Sequence, residues 1–251
     1  FEEFAENPLY PEVTECYRLA GHVQEAADPA VGVFFRDVRH EKAIPACLEA
    51  LEEFPDSLRL LINYGRAIDA AGRHDEAREI YRAGVAAGFP IAYRSLGDVY
   101  RDGRGVEKDL DEARYWYVLG AEKGNVFAQL NLALIYEQGL GVPVDKEKAV
   151  FWLWRAGRQG FATAVEKLAG YYLRGEVVAK DEKQGALLLQ SGADMGNMWA
   201  ELNLAELFEK GVGVKKDPAQ ARLYAERAAV QGNPWAQAKL ASYYKDGFGT
   251  K

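Results

Sequence analysis

The sequence predicts an all-α protein, a right-handed α/α solenoid of antiparallel helix pairs, and three observations predict it. First, alanine recurs at a constant interval of 36 residues, at Ala92, Ala128, Ala164, Ala200 and Ala236. Second, columns of leucine, glycine and aspartate follow at the same interval. Third, the apolar residues inside one interval have the spacing of an amphipathic helix. Two short helices cannot bury their apolar faces alone, so neighbouring intervals must stack.

An apolar stripe marks the first helix of each interval. Ala92, Leu96, Val99 and Tyr100 lie at i, i+4, i+7 and i+8, which predicts that they share one side of an α-helix. The aromatic position recurs at Tyr136, Tyr172, Phe208 and Tyr244. Paired glycines then follow, and we expect them to end the helix and reverse the chain, because glycine accepts positive φ.

An aspartate begins the second helix. Asp109 is followed three residues later by Glu112, the pattern of a capping box in which the carboxylate accepts an orphan backbone N–H. Ala113, Trp116 and Tyr117 continue at helical spacing. Equivalent aspartates stand at Asp145, Asp181 and Asp217.

Some positions depart from this pattern. Val177 replaces the second loop glycine and Gly185 replaces the first alanine of the second helix, so we expect a distorted loop there. At the carboxyl end only the first helix of an interval is present. We expect residues 236–246 to cover the preceding interval as a terminal cap, with mobile residues after Gly247.

Together these columns resemble known repeats. The 36-residue intervals look like Sel1-like repeats, and a shorter interval with Gly65, Ala77, Tyr81 and Gly84 resembles a tetratricopeptide repeat. The resemblance implies a leader segment over residues 1–28 and tetratricopeptide-like helices over 29–91, followed by Sel1-like repeats over 92–251. The expected repeats are 92–127, 128–163, 164–199, 200–235 and a partial 236–251.

The segment that carries Cys16 and Cys47 is similar to the leader of secreted bacterial proteins of this kind, some of which have a caspase-like domain upstream. That resemblance implies a disulfide between Cys16 and Cys47 and a periplasmic or secreted location. The alternative is a cytoplasmic protein with two small buried thiols. The chain begins at Phe1 without a signal-peptide pattern, so we expect a processed chain or a fragment.

Composition argues against several classes of function. A net charge of -7 and a pI near 5.2 disfavour nucleic-acid binding, and no apolar run approaches the roughly 20 residues of a membrane-spanning helix. His22, His40 and His74 lack metal-ligand spacing, so we expect neither metal nor cofactor. We interpret the glycine loops as turns rather than phosphate sites, and the aspartates as helix caps. Core packing or an aromatic binding site would explain Trp116, Trp152 and Trp154.

The resemblance also indicates where a partner would bind, because in tetratricopeptide-like solenoids set positions of the first helix face an inner groove. The candidates are Arg59, Asn63, Arg66, Arg94, Arg101, Phe127, Asn131, Lys167, Trp199, Asn203 and Trp235. Three asparagines share one position, where an amide can hydrogen-bond a peptide backbone, although asparagine is also frequent there in the repeat itself. The arginines suit an acidic segment or a free carboxylate.

The sequence therefore predicts a non-catalytic scaffold or adaptor that binds a protein or peptide in a concave groove. One alternative is the accessory repeat region of a larger enzyme, with a caspase-like hydrolase module outside these residues. Another is a structural protein that braces the cell envelope. No nucleic acid and no membrane insertion are expected.

Overall fold

A computed structural model describes residues 15–20 and 38–249. Every regular element within these residues is an α-helix, which confirms the predicted fold class. The helices are α1 (Glu15–Ala20), α2 (His40–Glu53), α3 (Leu58–Ala70), α4 (His74–Ala86), α5 (Pro90–Asp102), α6 (Leu110–Glu122), α7 (Val126–Gln138), α8 (Lys146–Gly157), α9 (Ala162–Arg174), α10 (Glu182–Asp194), α11 (Met198–Lys210), α12 (Pro218–Val230) and α13 (Pro234–Lys245).

The chain forms two compact units, residues 1–128 and 129–251, with the boundary inside α7. Within each unit, helices that follow one another along the chain pack together. The odd-numbered helices from α3 onward are the first helices of the repeats, and the even-numbered helices are the second helices.

In unit 1, the leader helix α1 packs on α2 and α3. The disulfide between Cys16 and Cys47 joins α1 to α2, so the pairing implied by the resemblance is confirmed. Both cysteines lie in a core cluster with Leu60 and Ala67 of α3. The covalent link therefore fixes the leader helix to the first helical layer.

The buried stripe of the first helices is narrower than predicted. Ala92, Leu96 and Val99 are buried, but Tyr100 is only half-buried and its equivalent Tyr244 is 54% exposed. The reason is geometric, because at about 100° per residue the i+8 position points about 80° away from position i, whereas i+7 lies within about 20° of it. The i+7 column, Val99, Ile135, Tyr171, Leu207 and Tyr243, is the buried one.

The predicted aspartate caps are confirmed. Asp109 Oδ1 accepts the backbone N–H of Glu112 at 2.9 Å, and Asp145, Asp181 and Asp217 accept the equivalent N–H at 2.9, 2.9 and 3.1 Å. Each aspartate also donates its own N–H to the carbonyl of the aromatic residue that precedes the loop, at distances of 2.8 to 3.0 Å. Every loop between a first and a second helix of this type is therefore closed by its own backbone.

Val177 adopts the glycine conformation of its position. Its φ is 66°, against 65° at Gly105 and 68° at Gly213, so the loop keeps the course of its equivalents and the expected distortion is confined to the residues around Val177. The backbone at Val177 is strained, because a β-branched residue rarely adopts positive φ. The N–H of Val178 also donates to the Glu176 carbonyl at 2.7 Å, which is the hydrogen bond of a γ-turn centred on Val177.

The terminal helix α13 is ordered as predicted and packs on α12. Ala236 and Tyr243 are buried. After Gly247, Phe248 stacks on Tyr243 with the ring centroids 4.7 Å apart, and residues 250–251 lie outside the described residues, so mobility of the tail stays a prediction. The aromatic side chain anchors the loop to the last helix.

Candidate protein-binding surface

The arginines of unit 1 form an ion-pair network. Asp98 Oδ2 lies 3.1 Å from Arg94 Nε, and Asp98 Oδ1 lies 3.0 Å from Arg101 Nη1 and accepts the Tyr117 hydroxyl at 2.7 Å. Burial alone would raise the pKa of Asp98, but Arg94, Arg101 and the Tyr117 hydroxyl outweigh it and hold that pKa below its ordinary value. The carboxylate therefore stays charged inside the helix stack.

Two predicted groove residues of α3 lie inside the fold. Arg66 is buried, and its Nη1 donates to the carbonyl of Ala20 at 2.5 Å, because the leader helix covers α3. Asn63 is fully buried as well, and neither polar atom of its side chain has a hydrogen-bond partner among the described residues. The structure does not bring Asn63 or Arg66 to an open surface, whereas Arg59 is half-buried.

A second polar cluster in unit 1 was not predicted. The fully buried carboxylate of Asp69 accepts the Tyr81 hydroxyl at 3.3 Å and pairs with His74 Nδ1 at 2.7 Å and with Arg104. Burial and the Asp69 charge raise the pKa of Tyr81. The sequence does contain a signal for this cluster. An aspartate in the second half of a first helix is followed by a tyrosine on the next helix, and the same pairing recurs as Asp98 and Tyr117.

Phe127 follows an asparagine cap in unit 1. Asn125 Oδ1 accepts the N–H groups of Phe127 and Ala128 at 3.1 and 2.9 Å, which fixes the backbone that carries the ring. The guanidinium of Arg94 lies over the Phe127 ring at 5.2 Å from its centroid. These two candidates are therefore brought together.

The same device positions two tryptophans in unit 2. Asn197 and Asn233 cap α11 and α13, and each accepts the N–H of the tryptophan two residues later at 3.0 Å. Trp199 and Trp235 are consequently neighbours, with ring centroids 5.3 Å apart and an interplanar angle of 49°. They are 43% and 63% exposed. A large apolar surface thus stands open at the start of two successive first helices.

The other candidates of unit 2 contact carboxylates. Lys167 Nζ lies 3.1 Å from Glu137 Oε2, and the Tyr171 hydroxyl donates to Glu137 Oε1 at 3.1 Å. Asn203 Nδ2 donates to Glu166 Oε1 at 3.0 Å. Burial raises the pKa of Glu166, against the opposing effects of Lys167 and Asn203.

Further along this face of unit 2, Lys239 Nζ pairs with Glu209 at 2.8 Å, and the Tyr243 hydroxyl donates to the same carboxylate at 2.8 Å. Glutamate and tyrosine are 34 residues apart both here and at Glu137 and Tyr171. That recurrence is the sequence signal that would have identified these pairs. Asn131 is half-buried on α7.

The described residues offer no group of three or more His, Cys, Asp or Glu side chains placed to hold a metal ion. Among the same residues, no helix is long and apolar enough to span a bilayer. The geometry of the site consists of aromatic side chains, ion pairs and capped helix starts.

The fold and these faces define a helical repeat protein of the tetratricopeptide-like class. The family model for the Sel1 repeat matches residues 90–125, 126–161, 162–197, 200–233 and 236–251, and a tetratricopeptide repeat model matches residues 35–97. The chain belongs to the Sel1 repeat family. Repeats of this family typically form protein-interaction scaffolds and are generally non-catalytic.

Solved structures of repeat proteins resemble this chain. A Sel1 repeat protein from Oxalobacter formigenes is 32% identical, with a TM-score of 0.69 over 74% of this chain and 77% of that one. The protective antigen c5321 of uropathogenic Escherichia coli strains, which displays an SLR fold, is 26% identical, with a TM-score of 0.66 over 92% of this chain. The match spans 48% of c5321, about half its length. Among curated proteins, no sequence matches the chain.

Proposed function

We propose that this protein is a scaffold that binds a protein or peptide segment on its first-helix faces. The observation that carries the proposal is the pair Trp199 and Trp235, whose rings are adjacent and largely open to solvent. Exposed tryptophan costs solvation free energy in the unbound protein and is enriched among the residues that dominate binding interfaces. A partner with an apolar side chain would bury both rings.

Polar groups beside the tryptophans suit an extended peptide. Asn203 lies one turn after Trp199 on α11 and half-buried Asn131 occupies the equivalent position on α7. The Asn203 amide donates one N–H to Glu166, so its oxygen and its second N–H would contact the main chain of the peptide. Tryptophan would thus supply affinity, and the amides would set the direction of the bound chain.

Unit 1 supports a finer proposal, that the partner carries an acidic segment or a free carboxylate. Apart from the buried Arg66 and Asp69, the first helices α3 and α5 and the start of the next loop carry four arginines and two aspartates, a surplus of two positive charges (4 − 2): Arg59, Arg94, Arg101, Arg104, Asp98 and Asp102. The side chain of Arg101 is 40% exposed, and its bidentate contact with Asp102 is the geometry in which a partner's carboxylate would bind in exchange for Asp102.

The disulfide supports an oxidising compartment, because such bonds persist outside the reducing cytosol. We infer a periplasmic or secreted location. Alkylation of the protein in freshly lysed cells of its source, before any reduction, tests this inference. Labelling of both Cys16 and Cys47 would contradict it.

The proposed function is tested with a random phage-displayed peptide library selected against the purified chain. Selected peptides should bind the Trp199→Ala/Trp235→Ala variant at least about 10-fold more weakly, because truncation of a central aromatic anchor costs about 2 kcal/mol or more. Tyr115→Ala is the matched control, since this aromatic side chain is 53% exposed on a second helix. Its affinity for the peptides should stay unchanged.

Three results would contradict the proposal: no specific peptide, peptides insensitive to the double variant, or equal losses in variant and control. The acidic preference has a separate readout. Peptides with a free carboxyl terminus should bind more tightly than their amides, and Arg59→Ala/Arg101→Ala should remove the difference. If amidation has no effect, the acidic preference is wrong while the scaffold function stands.

A further inference from the structure

A column of exposed apolar residues runs along the second helices. Tyr115, Phe151, Leu187 and Leu223 follow the 36-residue interval, and each is between 45% and 64% exposed. An exposed large hydrophobic residue at the same position of four consecutive repeats is not the scattered exposure expected of a surface. The column lies apart from the first helices that form the proposed binding surface.

In unit 2 this column widens into a patch. Trp154 on α8 is 47% exposed and lies three residues after Phe151, while Val230 on α12 is 88% exposed and lies seven residues after Leu223. Both spacings keep the residues on one side of their helix. The outer face is therefore defined here by Phe151, Trp154, Leu187, Leu223 and Val230.

Hydrogen bonds hold the central and last helices of this face side by side. The Tyr224 hydroxyl of α12 donates to Gln190 of α10 at 2.9 Å, and Arg227 of α12 donates to the Ala193 carbonyl at 2.8 Å. The side chains of Leu187 and Leu223 thus project from neighbouring, mutually fixed helices.

The exposed area of the outer face suits a symmetric contact. Its five residues expose on the order of 500 Å², given about 150–250 Å² for each whole aromatic residue. That is near the upper end for the largest apolar patch of a monomer. A symmetric contact buries the same patch twice, so it would remove roughly 1,000 Å² before the polar rim is counted, the level expected of a specific interface.

The charges on α10 are self-complementary about a twofold axis. Lys183, Leu187, Ser191 and Asp194 lie at i, i+4, i+8 and i+11 and are all exposed. When two copies of α10 pack antiparallel, Lys183 of one copy lies opposite Asp194 of the other, and the reverse pair forms at the other end. The two Leu187 side chains then lie about 4.5 Å apart along the helix axis, three residues at 1.5 Å each.

The same axis matches the flanking helices. A twofold axis that lies in the contact plane and sets α10 antiparallel to its copy leaves the stacking direction of the helices unchanged, so α8 of one copy faces α8 of the other. In the register that sets Lys183 opposite Asp194, Phe151 lies opposite Trp154 of the second copy. The exposed Glu147 and Arg158 also lie opposite each other. Aromatic side chains thus meet beside the axis, and opposite charges meet at the ends of α8.

We propose that a second copy of this chain docks on the outer face, as a twofold-symmetric dimer centred on α10. An isologous contact of this kind uses one patch twice and closes on itself. The dimer leaves the first-helix faces of both copies unobstructed by this contact.

Sedimentation equilibrium of the full chain over about 1 to 100 µM, the range of weak to moderate homodimers, tests the proposal. The wild-type chain should show a concentration-dependent dimer. Leu187→Glu should weaken dimerisation at least about 10-fold, because two like charges would face each other at the axis. Val144→Glu, at another exposed apolar residue of unit 2, is the control and should dimerise like wild type.

Charge reversal gives the sharper test. Lys183→Glu and Asp194→Lys should each weaken the dimer, since both symmetry-related pairs become repulsive, and the double variant should restore it. A wild-type chain that stays monomeric at 100 µM overturns the proposal, as does a dimer insensitive to Leu187→Glu. Leu187-dependent binding of the monomer to phosphatidylglycerol vesicles would also overturn it. None of these three results affects the peptide-binding test of the first-helix faces.

Discussion

The two units use the same repeat position in opposite ways. In unit 1 the charged residues of the first helices turn inward, where Asp69 and Asp98 collect arginine, histidine and tyrosine partners in buried clusters. In unit 2 the corresponding faces carry lysine–glutamate pairs at the surface and an open pair of tryptophans. A leader helix held by a disulfide covers α3 in unit 1. We infer that unit 1 is built for rigidity and that unit 2 offers the more accessible binding surface.

The largest expected difference concerns the central carboxylates. Asp98→Ala should lower the free energy of unfolding by about 3 kcal/mol, since it leaves the buried Tyr117 hydroxyl without its acceptor and Arg94, whose side chain is 19% exposed, without its counter-charge. Glu137→Ala in unit 2 should cost at most about 1 kcal/mol, because the pair with Lys167 is partly exposed. Urea denaturation followed by circular dichroism measures both. Equal losses would remove the distinction between the units.

Removal of the disulfide should affect one unit only. Cys16→Ser/Cys47→Ser opens a link with a sequence separation of 31 residues, so we expect a loss of roughly 3–4 kcal/mol. Hydrogen exchange should quicken at Leu60 and Ala67, which pack on the cysteines, and stay unchanged at Leu204 in unit 2. Faster exchange at Leu204 would mean that the leader stabilises more than its own unit.

One loop position distinguishes the units in the opposite sense. Val177→Gly in unit 2 should raise stability by about 1 kcal/mol, because glycine relieves the strain of positive φ while gaining some freedom in the unfolded chain. Gly105→Val in unit 1 is the matched reversal. Its Cβ would lie 2.4 Å from His74 Cβ, so it should destabilise. If Gly105→Val instead stabilised the protein, the loop would have to accommodate a side chain there without strain, which would contradict the prediction.

The smallest expected effect is a difference in pH dependence. The folded pKa of Asp98 is lowered, so its stabilising contribution is present above the unfolded value of about 3.9 and is lost as pH falls through the folded pKa. The folded pKa of Glu166 is raised, so its contribution is present below about pH 4.3 and is lost as pH rises through the folded pKa. Asp98→Asn should flatten the acid limb of the stability curve, and Glu166→Gln should raise stability above that range. Thermal unfolding from pH 3 to 8 checks both signs.

The fold could be predicted because the residues that determine helices and turns recur in five copies of the repeat. Alanine columns, loop glycines and capping aspartates each follow from backbone geometry. Packing between residues far apart in the sequence was harder to predict. A Cβ at Gly185 would lie 2.6 Å from Leu173 Cγ, so the leucine of α9 fills the space that an alanine methyl group would take in the other repeats. The burial of Asn63 and Arg66 could not be predicted, since it depends on where the leader helix packs. The exposed Trp199 and Trp235 were predicted as candidates, but their mutual contact required the structure.

The backbone bond that closes each inter-helix loop has a consequence for how such a chain can change over generations. The hydrogen bond from Asp109 N to Tyr100 O and its three equivalents close each loop with atoms of the same repeat. A duplicated stretch of 36 residues would therefore bring a finished connection with it, whatever side chains surround it. Gene duplication can lengthen the array, and recombination can exchange repeats, without a new turn structure between the helices. Selection then acts on the surface residues of the repeats.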